Sequence, residues 1–242
     1  MERITSRQNP LITRLRRLGA EKKTRRAQGV FLCEGTKLVG EALRWGPPPE
    51  LLAVAEGTAP PAELPAGVRV VEVPEALLRA VSTVETPQGM LAVCRTPDTA
   101  PPETLPEGRL LVLDGVQDPD AFGAAGLFLL PGCAEPFAPK TVRATMGACF
   151  RLPVWEGTLE DLTGLLARSA VSLYAAALRD DTEDIRSVPL GSAAVVIGSE
   201  GRGVSQPVLD ACRATLKIPM RDRCESLNAA VAASVVLWEG WR

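Results

Sequence analysis

Glu200, Ser226 and Asn228 are the residues of this chain whose types and spacing could do chemistry on a small charged molecule. Glu200 lies in the turn Gly198-Ser199-Glu200-Gly201-Arg202-Gly203, which follows the apolar run Ala193 to Ile197. Three glycines close together let the backbone bend sharply and approach a ligand, so such a turn presents main-chain N–H and C=O groups instead of side chains. Ser226 and Asn228 stand just before the apolar stretch Ala229 to Leu237. Ser226 is expected to cap that helix, with Asn228 in the open first turn. Each feature also has an ordinary explanation, a strand-to-helix turn and a simple cap. The 242 residues include no histidine, which removes the usual general base, the Ser–His hydrolases and the commonest metal ligand. Catalysis here must use carboxylates, hydroxyls, amides, Lys or Arg.

The elements that must hold these residues are legible from periodicity. Ala193 to Ile197 reads as a buried parallel strand. After Gly108, strands near 110–117, 126–130, 171–176 and 193–197 alternate with helices near Lys140–Phe150, Leu159–Ser169, Val204–Ala211 and Leu227–Trp238. That alternation predicts an α/β fold with a mostly parallel sheet covered on both faces. Earlier, strands at Val30–Cys33, Leu51–Ala55, Val68–Val73 and Met90–Cys94, with helices at Lys37–Arg44 and Pro74–Val81, predict a smaller α/β domain. The proline-rich stretch Thr96–Gly108 reads as a semi-rigid linker. The expected division is 1–95, 96–108 and 109–242. One connection is anomalous: if strands end at Gln117 and restart at Gly126, only Asp118–Ala125 joins them. A helical crossover usually needs at least ~10–12 residues.

Charge is distributed unevenly. Residues 1–26 hold nine Lys or Arg against two acids, a balance of +7, so the overall −2 leaves −9 on the remainder. The arm suits a polyanion; the ordinary alternative is a solvated basic face. Asn9 and Pro10 suit a helix start, Leu11, Ile12, Leu15 and Leu18 form one apolar face, and Gly19 suits the end. Arg7, Arg14, Arg17, Lys22, Lys23, Arg25 and Arg26 are then left as candidate phosphate contacts. No apolar run reaches the ~18 residues of a membrane span and no basic-then-apolar leader opens the chain, so a soluble cytoplasmic protein is expected. The six cysteines show no Cys-x-x-Cys pairing and read as buried free thiols, with no metal site.

The turn at Gly198–Gly203, Ile218-Pro219-Met220 and Glu225-Ser226-Leu227-Asn228, in that order, resemble the second and third motifs of the SpoU (TrmH-like) class of RNA ribose 2′-O-methyltransferases. Phe137-Ala138-Pro139-Lys140, Arg143 to Ala148 and Phe150 to Val154 resemble the family's middle segment, and Leu113 to Pro119 the start of its first motif. Phe31-Leu32-Cys33-Glu34-Gly35 and Ser82 to Gly89 resemble the substrate-binding domain that many members carry. The resemblance implies a trefoil-knotted catalytic domain, S-adenosylmethionine as cofactor, structured ribosomal or transfer RNA as partner, and a homodimer. It implies main-chain cofactor contacts around Gly198, Ile218 and Leu227, with Ser199, Glu200, Gly201 and Met220 completing the wall, so that a Cβ added at Gly198 or Gly201 should do most harm. Asn228 would orient the ribose, Ser226 would cap and hydrogen-bond, and Glu200 would hold the site, its ordinary alternative being an ion pair with Arg202 or Arg143. One departure falls on the chemistry: the family's Asn-x-Gly-x-x-x-Arg run has no counterpart between Pro119 and Asp120. A catalytically impaired relative that still binds RNA and cofactor is therefore the alternative. A dinucleotide-binding oxidoreductase is disfavoured, because the turn lacks the Gly-x-Gly-x-x-Gly order with an acidic residue ~20 positions on.

Overall fold

The computed structural model describes residues 1–116, 124–179, 182–220 and 227–240, and the chain divides into two compact units. The first comprises Met1–Pro97 together with Glu135–Arg151. Its strands are β1 (Glu2–Arg3), β2 (Val30–Glu34), β3 (Leu51–Ala55), β4 (Arg69–Val73) and β5 (Met90–Arg95), in the order β1-β4-β3-β5-β2, with β2 and β3 antiparallel to β5. Its helices are α1 (Pro10–Ala20), α2 (Lys22–Gln28), α3 (Thr36–Trp45), α4 (Glu75–Val81) and α5 (Pro139–Ala144).

Period-two alternation splits the core of this unit. Leu32, Ala53 and Leu91 face α1 and α4, whose Leu11, Ile12, Leu15, Leu18, Leu77 and Leu78 are buried against them. Phe31, Cys33, Val54 and Cys94 face the other way, against Leu38, Val39 and Ala42 of α3 and Phe137, Val142 and Cys149. The last three carry the Glu135–Arg151 segment onto this sheet: Phe137 lies 5.0 Å from Phe31 between ring centroids, and Phe150 stacks on Phe31 at 5.8 Å. The single helix expected over Lys140–Phe150 is broken, because Met146 (φ 49°) and Gly147 (φ 94°) enter the left-handed region and a short 3-10 turn, Ala148–Phe150, follows. Asn9 caps α1 as expected, its side chain accepting from the Leu11 N–H at 2.8 Å.

The second unit, Asp98–Ala134 and Leu152–Arg242, is built on β6 (Leu110–Asp114), β7 (Gly126–Leu129), β8 (Val154–Glu156), β9 (Ser172–Ala176), β10 (Glu183–Asp184), β11 (Ala193–Gly198) and β12 (Ala214–Lys217). The order is β10-β12-β9-β11-β6-β7-β8, and every described pairing is parallel. Helices α6 (Leu159–Arg168), α7 (Gln206–Ala211) and α8 (Ala229–Glu239) complete it. Leu111, Leu113, Val195 and Ile197 pack on the α8 side; Leu110, Val112, Ala194 and Val196 pack on the α6 and α7 side. Strands covered on both faces must be apolar at consecutive positions, which is why these segments read as unbroken hydrophobic runs.

Strand β6 ends at Asp114 and not Gln117, so its link to the parallel neighbour β7 is Gly115–Ala125; the anomalous stretch Gln117–Gly123 lies outside the described residues. From Asp98 onward the proline-rich segment is tied down: the Glu156 N–H donates to Thr99 O, the Leu105 N–H to Ser169 Oγ and Arg168 Nε to Glu103 O. Cys33, Cys94 and Cys149 are buried free thiols, and burial pushes the Cys212 thiol up to about 11; Cys224 lies outside the described residues. Among the described residues no helix is long and apolar enough to cross a membrane, and no cluster could hold a metal ion.

Candidate cofactor and catalytic site

Because the strands of the second unit are parallel, their carboxyl ends share one edge of the sheet, where α/β proteins bind ligands. There β11 delivers the glycine turn, β6 delivers Asp114 and Gly115, and β12 leads into Ile218 and Met220. Gly198 pairs with Asp114 in register, and a Cβ built on Gly115 would lie 3.6 Å from Ser199 Cβ. The first- and second-motif loops therefore touch.

The turn is closed by its own main chain. Ser199 N–H donates to Gly203 O at 3.1 Å, Gly203 N–H returns to Ser199 O at 2.8 Å, and Arg202 N–H donates to Ser199 Oγ at 3.2 Å. Gly203 adopts φ 69°, a conformation that costs glycine little. Beneath it, a Cβ on Gly198 would stand 2.1 Å from Gly203 C and 2.2 Å from Val204 N. Gly198 is thus required by the fold itself. Gly201 is not: among the described residues nothing lies within 4 Å of its added Cβ. Of the two positions at which an added Cβ was expected to do most harm, only Gly198 has a cause among the described residues.

Asp114, to which sequence reasoning assigned no role, anchors the far end of the turn. Its Oδ2 accepts the Ser205 N–H at 2.7 Å, an otherwise open donor at the start of α7. The available signal was an acid ending a wholly apolar strand.

Asn228, and not Ser226, caps α8. Its backbone is non-helical (φ −54°, ψ 142°) and its Oδ1 accepts the N–H groups of Ala230 at 3.0 Å and Val231 at 3.3 Å. The physical reason is that a capping side chain must sit outside the helical turn that it closes. The cap commits Oδ1 and leaves the amide nitrogen as the group that can meet a ligand. Ser226 lies outside the described residues. Ile218, Met220 and Leu227 are half-buried, with Ile218 packed on the α8-side core. Glu200 is exposed. Arg143, one ion-pair partner considered for it, donates instead to Thr83 Oγ1 at 2.7 Å.

In the first unit the two substrate-domain segments meet at one buried carboxylate. Glu34 accepts from the Thr83 N–H at 2.9 Å, Thr83 Oγ1 at 2.5 Å and Ser82 Oγ at 2.6 Å. Among the basic residues, Arg7, Lys22, Lys23 and Arg26 are exposed, whereas Arg14 is paired with Glu50 at 3.1 Å and Arg17 with Glu21 at 3.1 Å. Arg25 is corrected outright. It is buried, donating to Glu135 at 2.9 and 2.6 Å and to Leu18 O at 2.7 Å, because α2 packs its guanidinium inward.

Solved structures similar to this one over nearly its whole length include methyltransferases. An AdoMet-bound rRNA methyltransferase from Sinorhizobium meliloti superposes with a TM-score of 0.85 at 27% identity, covering 99% of this chain and 97% of that one. The SpoU methyltransferase AviRb from Streptomyces viridochromogenes, in complex with AdoMet, gives 0.82 at 25% identity over 96% and 97%. Among curated proteins, the 23S rRNA (guanosine(2553)-2′-O)-methyltransferase RlmP of Bacillus subtilis is 32% identical over 249 residues, 98% of each chain. The SpoU rRNA methylase family model matches residues 110–238, and the MRM3-like substrate-binding domain model matches 9–92. The chain belongs to the SpoU rRNA methylase family and is an S-adenosylmethionine-dependent RNA methyltransferase.

The donor set suits that cofactor: a main-chain turn with open space at Gly201 among the described residues, and half-buried apolar side chains at Ile218, Met220 and Leu227 for an adenine.

Proposed function

We propose that this chain methylates a ribose 2′-hydroxyl of ribosomal RNA in the cytoplasm, with 109–242 as the catalytic domain apart from the Glu135–Arg151 segment, 1–95 together with that segment as the RNA-holding domain, and 96–108 joining the two in sequence. The observation that carries the reading is the closed Ser199–Gly203 turn lying against Gly115, at the edge shared by the strands leading to Ile218 and Met220. The full-length match to a ribosomal 2′-O-methyltransferase supports the substrate class.

When bound, S-adenosylmethionine supplies an electrophilic methyl group on a sulfonium centre. Main-chain groups of Gly198, Ser199, Gly201, Ile218 and Leu227, with the Met220 side chain, would hold it in loops that form a trefoil knot. The Asn228 amide orients the ribose, Ser226 supports it, and Glu200 borders the turn. Holding the two reactants in line is the chain's main task, and alignment alone can supply ~7–11 kcal/mol of the barrier.

The protein works as a homodimer. Helix α8 is apolar but for Ser234 and its last residue Glu239, yet Val231 and Trp238 are 49% and 69% exposed and Val235 is half-buried, on one stripe. Such a helix expects cover on both faces. Val231→Glu should convert the dimer to a monomer in light scattering; an unchanged mass would place the interface elsewhere.

Labelled S-adenosylmethionine and unmodified 23S ribosomal RNA test the reaction. Label should enter at one ribose, leaving an alkali-resistant linkage, and Asn228→Ala should slow transfer ~10²-fold, the scale of a small misplacement of reactants. The second reading, an impaired relative, rests on the missing Asn-x-Gly-x-x-x-Arg run. It would be established by stabilisation of ~2.7 kcal/mol at 100 times the cofactor's dissociation constant without any transfer.

A further inference from the structure

Trp45 ends α3 on the first unit. The helix buries Leu38, Val39 and Ala42 in the sheet's core, while Trp45 stays 49% exposed. A single exposed aromatic residue is unremarkable. Here, however, the Arg44 guanidinium carbon lies 4.9 Å from the indole centroid and that of Arg151 lies 5.9 Å away. Arg151 comes from the end of the distant Glu135–Arg151 segment, and its side chain is 44% exposed although it is paired with Glu41. Lys37, exposed seven residues before Arg44, lies on the same helix face. The patch thus combines one half-exposed indole with three cations and the carboxylate of Glu41.

We propose that Trp45, Arg44 and Arg151 form a stacking platform for an unpaired nucleotide of the RNA substrate, a proposal that rests on reading the first unit as RNA-holding. The indole takes the face of a base, and the two guanidinium groups, which are planar donors suited to phosphate, take the adjoining backbone. Sites for single-stranded nucleic acid combine an aromatic stacking surface with a basic groove in this way. A duplex hides its base faces within the stack, so the occupant is a loop, a bulge or an end. Arg44 and Arg151 already stand close to the ring, so little ordering of the cations is needed when a base arrives.

The test uses the full chain with a hairpin RNA carrying a single-stranded loop, alongside the same stem as a blunt duplex. Trp45→Ala should weaken hairpin binding by about 5- to 100-fold, the range expected for one stacked base, and leave duplex binding unchanged. Trp45→Phe should restore most of the loss. Arg44→Gln should flatten the salt dependence of hairpin binding by about 0.7 in log–log slope, as for one single-strand phosphate. The thermal shift caused by S-adenosylmethionine should be the same in every variant, which shows that the second unit is intact. Equal losses on hairpin and duplex, or no loss for Trp45→Ala, would overturn the platform while leaving the RNA-holding reading in place. A wild-type chain that binds neither RNA would overturn both.

Discussion

Gly198→Ala is expected to destabilise the second unit by about 3 kcal/mol or more and to abolish S-adenosylmethionine binding with it. The added Cβ would stand 2.1 to 2.4 Å from main-chain atoms of Gly203 and Val204. No flexible side chain can swing aside there. Relief must come from moving the turn or β11, whose Gly198 is held in register with Asp114. Overpacking typically costs 1–3 kcal/mol and more where backbone must shift, and each kcal/mol lowers the melting temperature by about 2–4 °C in a chain of this size. A fall of about 6–12 °C in calorimetry, with no heat of cofactor binding, is the expected result. Gly201→Ala is the control, because among the described residues its Cβ meets nothing within 4 Å. It should melt with the wild type and lose affinity only so far as the cofactor itself approaches the turn. Equal melting of the two variants would refute this account of the loop.

Arg25→Ala is expected to cost about 3–5 kcal/mol, because it leaves the Glu135 carboxylate buried without its partner. The side chains of Arg25 and Glu135 are 7% and 11% exposed, and two parallel hydrogen bonds at 2.9 and 2.6 Å join them. The guanidinium also accepts responsibility for α1's last turn, donating to Leu18 O at 2.7 Å and Gly19 O at 3.3 Å. Removing both charges should be far milder than removing one, so Arg25→Met with Glu135→Leu should recover much of the loss. Chemical denaturation reads the stability, and RNA binding reads the alternative role. A phosphate ligand would lower the salt slope by roughly 0.7–0.9 when removed, whereas the buried bridge predicts an unchanged slope in the double variant.

Much of the architecture was written in local pattern. Consecutive apolar residues at Leu110–Leu113 and Ala193–Ile197 could only be strands covered on both faces, and the structure covers them with α8 on one side and α6 and α7 on the other. Asn9 followed by Pro10 specified a helix start by chemistry confined to three residues. The glycine turn was legible for the same reason, since glycine spacing reports a backbone need that no distant contact is required to reveal.

What sequence could not supply was direction and partnership. Arg25 sits in a run of cations that reads as a phosphate face, and only the packing of α2 turns it inward to a carboxylate from Glu135. The helix expected across Lys140–Phe150 carries Gly147 within it, a residue that disfavours helix and suits a helix end. It breaks at Met146 and Gly147 because Phe137, Val142 and Cys149 are bound to the surface around Phe31. Ser226 and Asn228 are both competent caps, and the choice between them is made by where the chain must enter α8. Gly198 and Gly201 look alike in sequence, yet one is pressed against backbone and the other, among the described residues, is open. By itself the sequence determined most of the strands and helices and the parallel sheet, because these follow from periodicity and backbone chemistry within short windows. Tertiary structure alone decided which charges are buried, which cap is used and which glycine is indispensable, because each depends on atoms that are far apart in the chain and adjacent only once it has folded.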